Sequence, residues 1–188
     1  EFHPWLSSIG SINYPDYAVF DLDPMERYGI DEVRQVAQAI GRLLDRLELL
    51  GRVKTSGATG LQIFVPLVPV YTYIQVRDFV HACCRIIHKD FANWTTLERS
   101  IANRQGKIYL DYMQNAMGQT IISAFSLRPQ PLPTLSFPLE WDDLQESIDP
   151  REYSLHTLDF SGMSPSWVEK TPGQRLENAA EQIKNMLY

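Results

Sequence analysis

The sequence predicts an α+β fold in which a mixed or antiparallel sheet is flanked by helices. Two long segments have apolar residues at helical spacing, and several short apolar runs have the length and composition of strands. With 188 residues, 44% of them hydrophobic, the chain suits a single domain (1–188) with a substantial core.

The first half of the chain predicts one long helix followed by two strands. Apolar residues recur at helical spacing over 33–50, and Gly51 is expected to end this helix. Strands are predicted at 52–56 and 61–67, joined by the small-residue turn 57–60. The turn is short enough to make the two strands neighbours.

A second amphipathic helix is predicted over 76–87, and it contains both cysteines. Adjacent positions of a helix face different directions, so Cys83 and Cys84 are expected to pack as small hydrophobes, not as a redox pair or zinc ligands. Strands are predicted at 107–112 and 120–125, and the short connection favours antiparallel pairing of the two.

The last third of the chain is marked by prolines and a final amphipathic segment. Four prolines predict an extended internal linker over 129–138, which precedes a short helix at 141–147. A terminal helix is predicted over 174–187, with its apolar residues on one face.

Charge and composition limit the partners of the chain. The formal net charge of −6 argues against a sequence-independent DNA coat, although a local basic track beside an acidic site remains compatible with it. No apolar run approaches the ~20 residues of a membrane span, and no signal-peptide pattern is present. We therefore expect no membrane partner and a cytoplasmic location.

The strongest chemical signal is the pair Asp21 and Asp23 at the end of an apolar strand. Strand side chains alternate between faces, so both carboxylates point the same way. Adjacent carboxylates repel each other unless a cation lies between them. Asp111 ends another predicted strand, and three such acids suit a two-metal phosphoryl-transfer site. The simpler alternative is a solvated strand end with Asp23 before Pro24.

Haloacid-dehalogenase phosphatases also place Asp-x-Asp after an apolar strand and are the first competing enzyme class. In that family Thr or Val usually follows two residues after the second acid, whereas Met25 occupies the position here. No later Gly-Asp-x-x-x-Asp motif supplies the remaining metal ligand. The sequence therefore disfavours this class.

The order of further motifs is more specific than any one of them. They read Glu1-x-His3-x-Trp5, Lys54-Thr-Ser-Gly-Ala-Thr-Gly-Leu-Gln62, Leu110-Asp-Tyr-Met-Gln-Asn115, Gly118-Gln-Thr120 and Phe125-Ser-Leu-Arg128. This succession resembles the polymerase domain of bacterial ATP-dependent DNA ligase D, a primase-like enzyme of non-homologous end joining. The resemblance covers nearly the whole chain and implies an archaeo-eukaryotic primase-like fold.

The resemblance also implies roles for individual residues. The catalytic and metal-binding acids would be Asp21, Asp23 and Asp111, which would hold two divalent cations, Mn²⁺ or Mg²⁺. The nucleotide contacts, with an NTP or dNTP as substrate, would be His3, Ser56, Gln62 and Arg128. Gln114 and Asn115 are expected to support the strand end and the primer region, not to take part in the chemistry. Lys54 and Arg104 lie in motif segments and are assigned no direct role.

Two departures from the family pattern lead to two hypotheses about function. Thr59 and Gln62 replace a lysine and a histidine, so two phosphate contacts become neutral and weaker. The N-terminal segment that holds the 5′-phosphate in the family is missing from this sequence, which indicates a fragment or a reduced homologue.

The first hypothesis is a metal-dependent nucleotidyltransferase that extends primers at DNA ends in double-strand break repair. Its partners would be template–primer ends, nucleoside triphosphates, Ku and a DNA ligase. The protein would be located in the bacterial cytoplasm, in association with the nucleoid. The alternative is a catalytically weakened module that binds DNA ends or a partner protein. A third reading is a fragment too incomplete to fold natively.

Overall fold

A six-stranded mixed sheet forms the centre of the computed structural model, which describes residues 1–158, Trp167 and 171–187. The strand order is β4-β5-β1-β3-β2-β6, and every neighbouring pair is antiparallel except β4 and β5. The α+β prediction is therefore confirmed. The strands are β1 Tyr17–Asp23, β2 Arg52–Thr55, β3 Leu61–Pro66, β4 Thr95–Thr96, β5 Ile108–Asp111 and β6 Pro138–Leu139.

The two faces of this sheet differ in chemistry. Helices α1 (Ile30–Arg46), α2 (Tyr73–Asp90) and α3 (Glu177–Leu187) contribute to the apolar core on one face. The strands supply buried apolar side chains to that core, among them Phe20, Leu22, Val53, Ile63 and Leu110. Because side chains alternate along a strand, the acids of β1 and β5 lie on the opposite face. Among the described helices, none is both long and apolar enough to span a membrane.

Helix α1 ends four residues earlier than predicted, at Arg46 and not at position 50. Glu48 adopts a left-handed conformation (φ 56°), and the Leu49 N–H donates to the Leu44 carbonyl at 2.9 Å. This is a Schellman-type end in which a non-glycine residue takes the left-handed position. The prediction that Gly51 ends the helix was wrong because such a Glu carries no sequence signal.

Helix α2 begins with a capping box and, as the sequence predicts, buries both cysteines among apolar side chains. The hydroxyl of Thr72 accepts a bond from the Gln75 N–H at 3.3 Å, and the Gln75 side chain accepts from the Thr72 N–H at 2.8 Å. This capping box begins the helix. Cys83 and Cys84 are both unpaired thiols in the core, and burial raises the pKa of the Cys83 thiol.

The predicted strand at 120–125 was wrong. The segment makes an isolated bridge between Thr120 and Trp5, and the Ile121 and Ser123 N–H groups donate to carbonyls of the N-terminal segment at 3.2 and 3.0 Å. Strand β5 lies between β4 and β1, so it has no free edge for a hairpin partner. The chain turns instead into a short 3₁₀ helix at Tyr112–Asn115.

The proline-containing segment 129–138 is packed against the sheet in its second half. Leu135 and Ser136 are buried, and the Thr134 hydroxyl donates to the Gly57 carbonyl at 2.5 Å. The short helix expected at 141–147 is a 3₁₀ helix at Asp142–Gln145, and the terminal helix falls within the range predicted for it.

Candidate active site

Four polar residues lie side by side across four neighbouring strands, and we call them the polar row. Asp111 of β5 is the register partner of Asp21 in β1, Asp21 is paired with Gln62 in β3, and Gln62 with Lys54 in β2. All four point away from the helix-covered face. The row runs from two carboxylates through an amide to an ammonium group.

Asp21 is the central carboxylate of the row. Its Oδ1 accepts a hydrogen bond from Gln62 Nε2 at 3.1 Å. Burial raises the pKa of Asp21 to about 6, while the Gln62 hydrogen bond opposes this shift and the charges of Asp111 and Asp23 add to it. The prediction that Asp21 and Asp23 share a face is confirmed by their common strand register.

Asp111 ends β5 and begins the 3₁₀ helix that follows. Its Oδ1 accepts from the Gln114 N–H at 3.2 Å, which orients the carboxylate as a helix cap. Burial raises the pKa of Asp111. The two adjacent carboxylates are therefore held close together while burial disfavours their ionised forms.

Asp23 is bonded to a cation that the sequence analysis left without a role. Arg104 Nη1 lies 2.9 Å from Asp23 Oδ2, and the guanidinium is 4.0 Å from the centre of the Tyr109 ring. Arg104 is only 9% exposed. Only the folded structure reveals this ion pair, because Asp23 and Arg104 are 81 residues apart in sequence.

Asp21 and Asp111 are the side chains best placed to hold a divalent cation. As the side chains stand, the described part of the chain contains no group of three or more His, Cys, Asp or Glu arranged to bind a metal. The donor chemistry nevertheless fits, because paired carboxylate oxygens suit Mg²⁺ and Mn²⁺. Asp23 could join them by exchanging its bond to Arg104.

Lys54 forms the other end of the polar row and is completely buried. Its Nζ donates to Gln62 Oε1 at 2.5 Å and also to the Ser136 hydroxyl. Burial lowers the pKa of Lys54 to about 7, and the charge of Asp21 opposes this shift. Gln62 is 4% exposed, and its amide is bonded on both sides within the row.

Asn115 completes β1 beyond the point where β5 ends. Its Oδ1 accepts from the Val19 N–H at 2.8 Å, and its Nδ2 donates to the Val19 carbonyl at 2.7 Å. The buried amide thus replaces a neighbouring strand for one residue. This agrees with the expectation that Asn115 supports the strand end.

The turn 56–60 is held by its own hydrogen bonds. The Ser56 hydroxyl accepts from the N–H groups of Ala58 and Gly60 at 3.2 and 3.1 Å. Gly57 has φ +72°, and a Cβ there would lie 2.9 Å from the Ser136 nitrogen, so this position requires glycine. Thr59 is exposed at the tip of the turn.

His3 and Arg128 are brought together through Glu1. The Glu1 carboxylate lies 2.8 Å from His3 Nε2 and 3.3 Å from Arg128 Nη1. Arg128 Nε also donates to the Ser56 carbonyl at 3.1 Å, which ties the arginine to the turn. Three of the four predicted nucleotide contacts are therefore linked, His3 to Arg128 through Glu1 and Arg128 to the Ser56 carbonyl, whereas Gln62 lies in the polar row.

A cleft of about 710 Å³ opens beside the end of β1. Asp23 and Arg104 line one part of it, and Thr59 and Thr134 line another. Arg151 also lines the cleft, where it forms an ion pair with Asp149 at 2.6 Å. The cleft therefore joins the carboxylate end of the site to the turn 56–60.

Comparisons with known proteins identify related sequences and a related structure. Residues 1–161 match the sequence model of the family described as "LigD, primase-polymerase domain". The chain is 37% identical over 159 residues to the bifunctional non-homologous end joining protein LigD of Bacillus subtilis. It is 30% identical over 158 residues to the multifunctional protein LigD of Pseudomonas aeruginosa.

A solved structure is also similar, namely the polymerase domain of Mycobacterium tuberculosis ligase D in complex with DNA. The TM-score is 0.66 at 28% identity, and the alignment covers 73% of this chain and 47% of that one. Alignments with the Bacillus and Pseudomonas proteins cover 84% of this chain but only 26% and 19% of those proteins. The chain thus corresponds to about a quarter or less of their length.

Proposed function

Because the chain belongs to the LigD primase-polymerase domain family, we propose that it is a metal-dependent nucleotidyltransferase that extends primer ends at DNA breaks. The observation that carries the proposal is the register pairing of Asp21 with Asp111, with Asp23 on the same strand face. The register of β1 and β5 makes Asp21 and Asp111 neighbours without help from any loop, while Asp23 is bonded to Arg104. The same three acids are the metal ligands that the family resemblance implies.

The three aspartates would hold two divalent cations, Mn²⁺ or Mg²⁺. Such ions lower the pKa of a primer 3′-hydroxyl and neutralise triphosphate charge. Asp21 and Asp111 contribute carboxylates that are already adjacent. Asp23 would contribute only without its bond to Arg104, so a cation would compete with Arg104 for this carboxylate.

The nucleotide triphosphate would bind at the cluster of His3, Ser56 and Arg128. The planar guanidinium of Arg128 can donate two parallel bonds to phosphate oxygens, and an imidazole N–H of His3 can add a further donor. Glu1 now occupies the space between these two side chains, so phosphate must displace its carboxylate. Gln62 was predicted as a fourth contact, but its amide would first have to leave Asp21 and Lys54.

Template–primer DNA is the proposed macromolecular substrate. The similar domain of Mycobacterium tuberculosis ligase D was solved in complex with DNA. Ku and a DNA ligase remain proposed partners, since the relatives that match are end-joining proteins and this chain aligns with only part of each.

A weakened DNA-end or partner-binding module is the second candidate function. It is favoured by neutral Thr59 at the tip of the turn and by the internal engagement of Gln62. In this case the chain would bind DNA ends but would transfer nucleotides slowly or not at all.

Primer extension on a DNA duplex with a recessed 3′ end tests the proposal. We expect the wild type to add nucleotides only when Mn²⁺ or Mg²⁺ is present, and the variant Asp111→Ala to lose this activity. Asp45→Ala is the matched control, because Asp45 is an exposed carboxylate on α1. Extension by Asp111→Ala at the wild-type rate would refute the proposal, whereas DNA binding without extension by the folded wild type would favour the second candidate.

A further inference from the structure

Lys54 is the member of the polar row that the proposed reaction does not use. Its side chain is 0% exposed, so its ammonium cannot contact a nucleotide or DNA in this arrangement. The ammonium donates to Gln62 Oε1 at 2.5 Å, to the Thr55 carbonyl at 3.4 Å and to the Ser136 hydroxyl. Its three donors are thereby all used inside the protein.

A contribution to stability does not explain a lysine at this place. Removing an ammonium from water carries a penalty of several kcal/mol, and an apolar side chain of similar volume often serves a buried position as well or better. The specific partners of Lys54 are therefore more informative than its burial.

The bond from Lys54 determines which end of the Gln62 amide faces Asp21. An ammonium can only donate, so it must bind the Gln62 carbonyl oxygen. The amide nitrogen is then directed to the other side, where it donates to Asp21 Oδ1 at 3.1 Å. Strand register keeps the three residues in line, because Lys54 pairs with Gln62 and Gln62 pairs with Asp21.

We propose that Lys54 is a positioning residue that acts through Gln62, holding the Asp21 carboxylate beside Asp111 in the orientation that binds a divalent cation. This inference rests on the proposed metal site at Asp21 and Asp111. It also gives Gln62 a different role from the triphosphate contact expected from its sequence position. Hydrogen bonds to ligating carboxylates are known to affect metal affinity by about 10–100-fold.

The direction in which Mn²⁺ affinity changes when Lys54 is removed distinguishes positioning of Asp21 from a simple effect of charge. With Asp21 ionised in the wild type and in the variant, a buried cation only repels an incoming cation, so charge alone means that removing Lys54 should tighten metal binding. If Lys54 positions Asp21 through Gln62, its removal should weaken metal binding. Both effects are measured with the metal alone, without nucleotide or DNA.

The experiment is a calorimetric titration of Mn²⁺ into the wild type, Lys54→Met, Gln62→Met and the double variant. We expect each single variant to bind Mn²⁺ about 10-fold more weakly. The double variant should be no weaker than the weaker single variant, because the two residues act in series. Ser136→Ala is the control, since it removes another acceptor of the same ammonium and leaves the link to Asp21 in place; its Mn²⁺ affinity should be unchanged.

Several outcomes would overturn the inference. Equal or tighter Mn²⁺ binding by Gln62→Met, additive losses in the double variant, or an equal loss in Ser136→Ala would each contradict positioning through Gln62. If Lys54→Met does not show a cooperative melting transition, Gln62→Met decides the question, because it leaves Lys54 with two acceptors. Failure of the wild type to bind Mn²⁺, or binding unaffected by Asp111→Ala, would instead refute the proposed metal site and this inference with it.

Discussion

The carboxylate end of the site, at Asp21 and Asp111, and the proposed phosphate-binding end, at Ser56 and Arg128, are built in different ways. Asp21 and Asp111 lie on paired strands, so the register of β1 and β5 places them together. Ser56 and Arg128 lie on loops, and their polar atoms bond to neighbouring backbone or to Glu1. Folding of the sheet is therefore enough to bring the carboxylates together. At the proposed phosphate-binding end, a substrate would have to replace hydrogen bonds that the protein already makes within itself.

This difference has an energetic consequence. The carboxylate end holds like charges in a partly buried place, which disfavours their ionised forms until a cation arrives. At the proposed phosphate-binding end Arg128 already donates to the Ser56 carbonyl and to Glu1, so a phosphate that replaces these partners gains only the difference between old and new hydrogen bonds. We expect substitutions at the first end to change folding stability and metal binding, and those at the second end to change nucleotide affinity.

The largest effect is expected from Asn115→Ala at the carboxylate end. The change removes a buried amide that bonds both backbone groups of Val19, so we expect the free energy of unfolding to fall by about 3 kcal/mol. Urea denaturation measures this loss. Asn103→Ala, at an exposed asparagine, should leave the stability nearly unchanged. A similar small loss in both variants would mean that the strand end does not depend on Asn115.

The second largest effect is expected on the pH dependence of folding stability, through Asp21 in the absence of divalent cations. Burial raises its pKa from 3.8 to about 6, so the folded state binds a proton that the unfolded state has already released between these pH values. The ionised carboxyl therefore destabilises the fold above pH 6, and this penalty disappears as the pH falls towards 3.8.

We accordingly expect Asp21→Asn to be more stable than the wild type by about 2 kcal/mol at pH 7 in the presence of a chelator. Its advantage should shrink as the pH is lowered and nearly vanish at pH 4. Urea denaturation at both pH values measures the difference. A less stable Asp21→Asn at pH 7 would show that the ionised carboxylate is well accommodated by its neighbours.

Arg128→Ala tests the independence of the phosphate-binding end. Loss of a charge-assisted contact should weaken triphosphate binding by about 10-fold or more, while Mn²⁺ affinity in the absence of nucleotide stays the same. Calorimetry with each ligand separates the two effects. Arg42→Ala, at an exposed arginine of α1, is the control. Equal losses for metal and nucleotide in Arg128→Ala would remove the distinction between the two ends.

The smallest effect is expected from Thr59→Lys. This exposed turn position carries a lysine in the family pattern, and a new solvated charge should tighten triphosphate binding by about 2–5-fold. Thr59→Met is the matched control, because it adds similar length without charge. An equal gain in both variants would point to packing, and no gain in either would show that Thr59 does not limit affinity.

Local sequence patterns predicted the three helices, the strands β1, β2, β3 and β5, and the direction of the first two acids. Alternation along one strand is enough to place Asp21 and Asp23 on the same face, and the structure confirms it. It cannot say that Asp111 lies opposite Asp21, because register depends on which strands pair. The topology also explains the failure at 120–125, since β5 already had two neighbours.

Side-chain contacts between neighbouring segments of the fold could not be predicted from the sequence. Lys54 and Arg104 were left without roles, although one is bonded into the polar row and the other to Asp23. Each contact joins segments that the sheet brings together, and neither residue type signals its burial. Alternation along the predicted strand could have assigned Lys54 to one face of the sheet. It could not have identified Gln62 as the hydrogen-bond partner of Lys54.

Metal-dependent triphosphate binding is the most direct test of the account. Calorimetric titration of a nucleoside triphosphate into the wild type, with and without Mn²⁺, should show binding that Mn²⁺ strengthens. Folded Asp21→Ala should lose this Mn²⁺-dependent gain while keeping the weak binding that His3 and Arg128 provide. Binding that is unaffected by Mn²⁺, or a gain that persists in Asp21→Ala, would contradict a metal-dependent nucleotide site at the polar row.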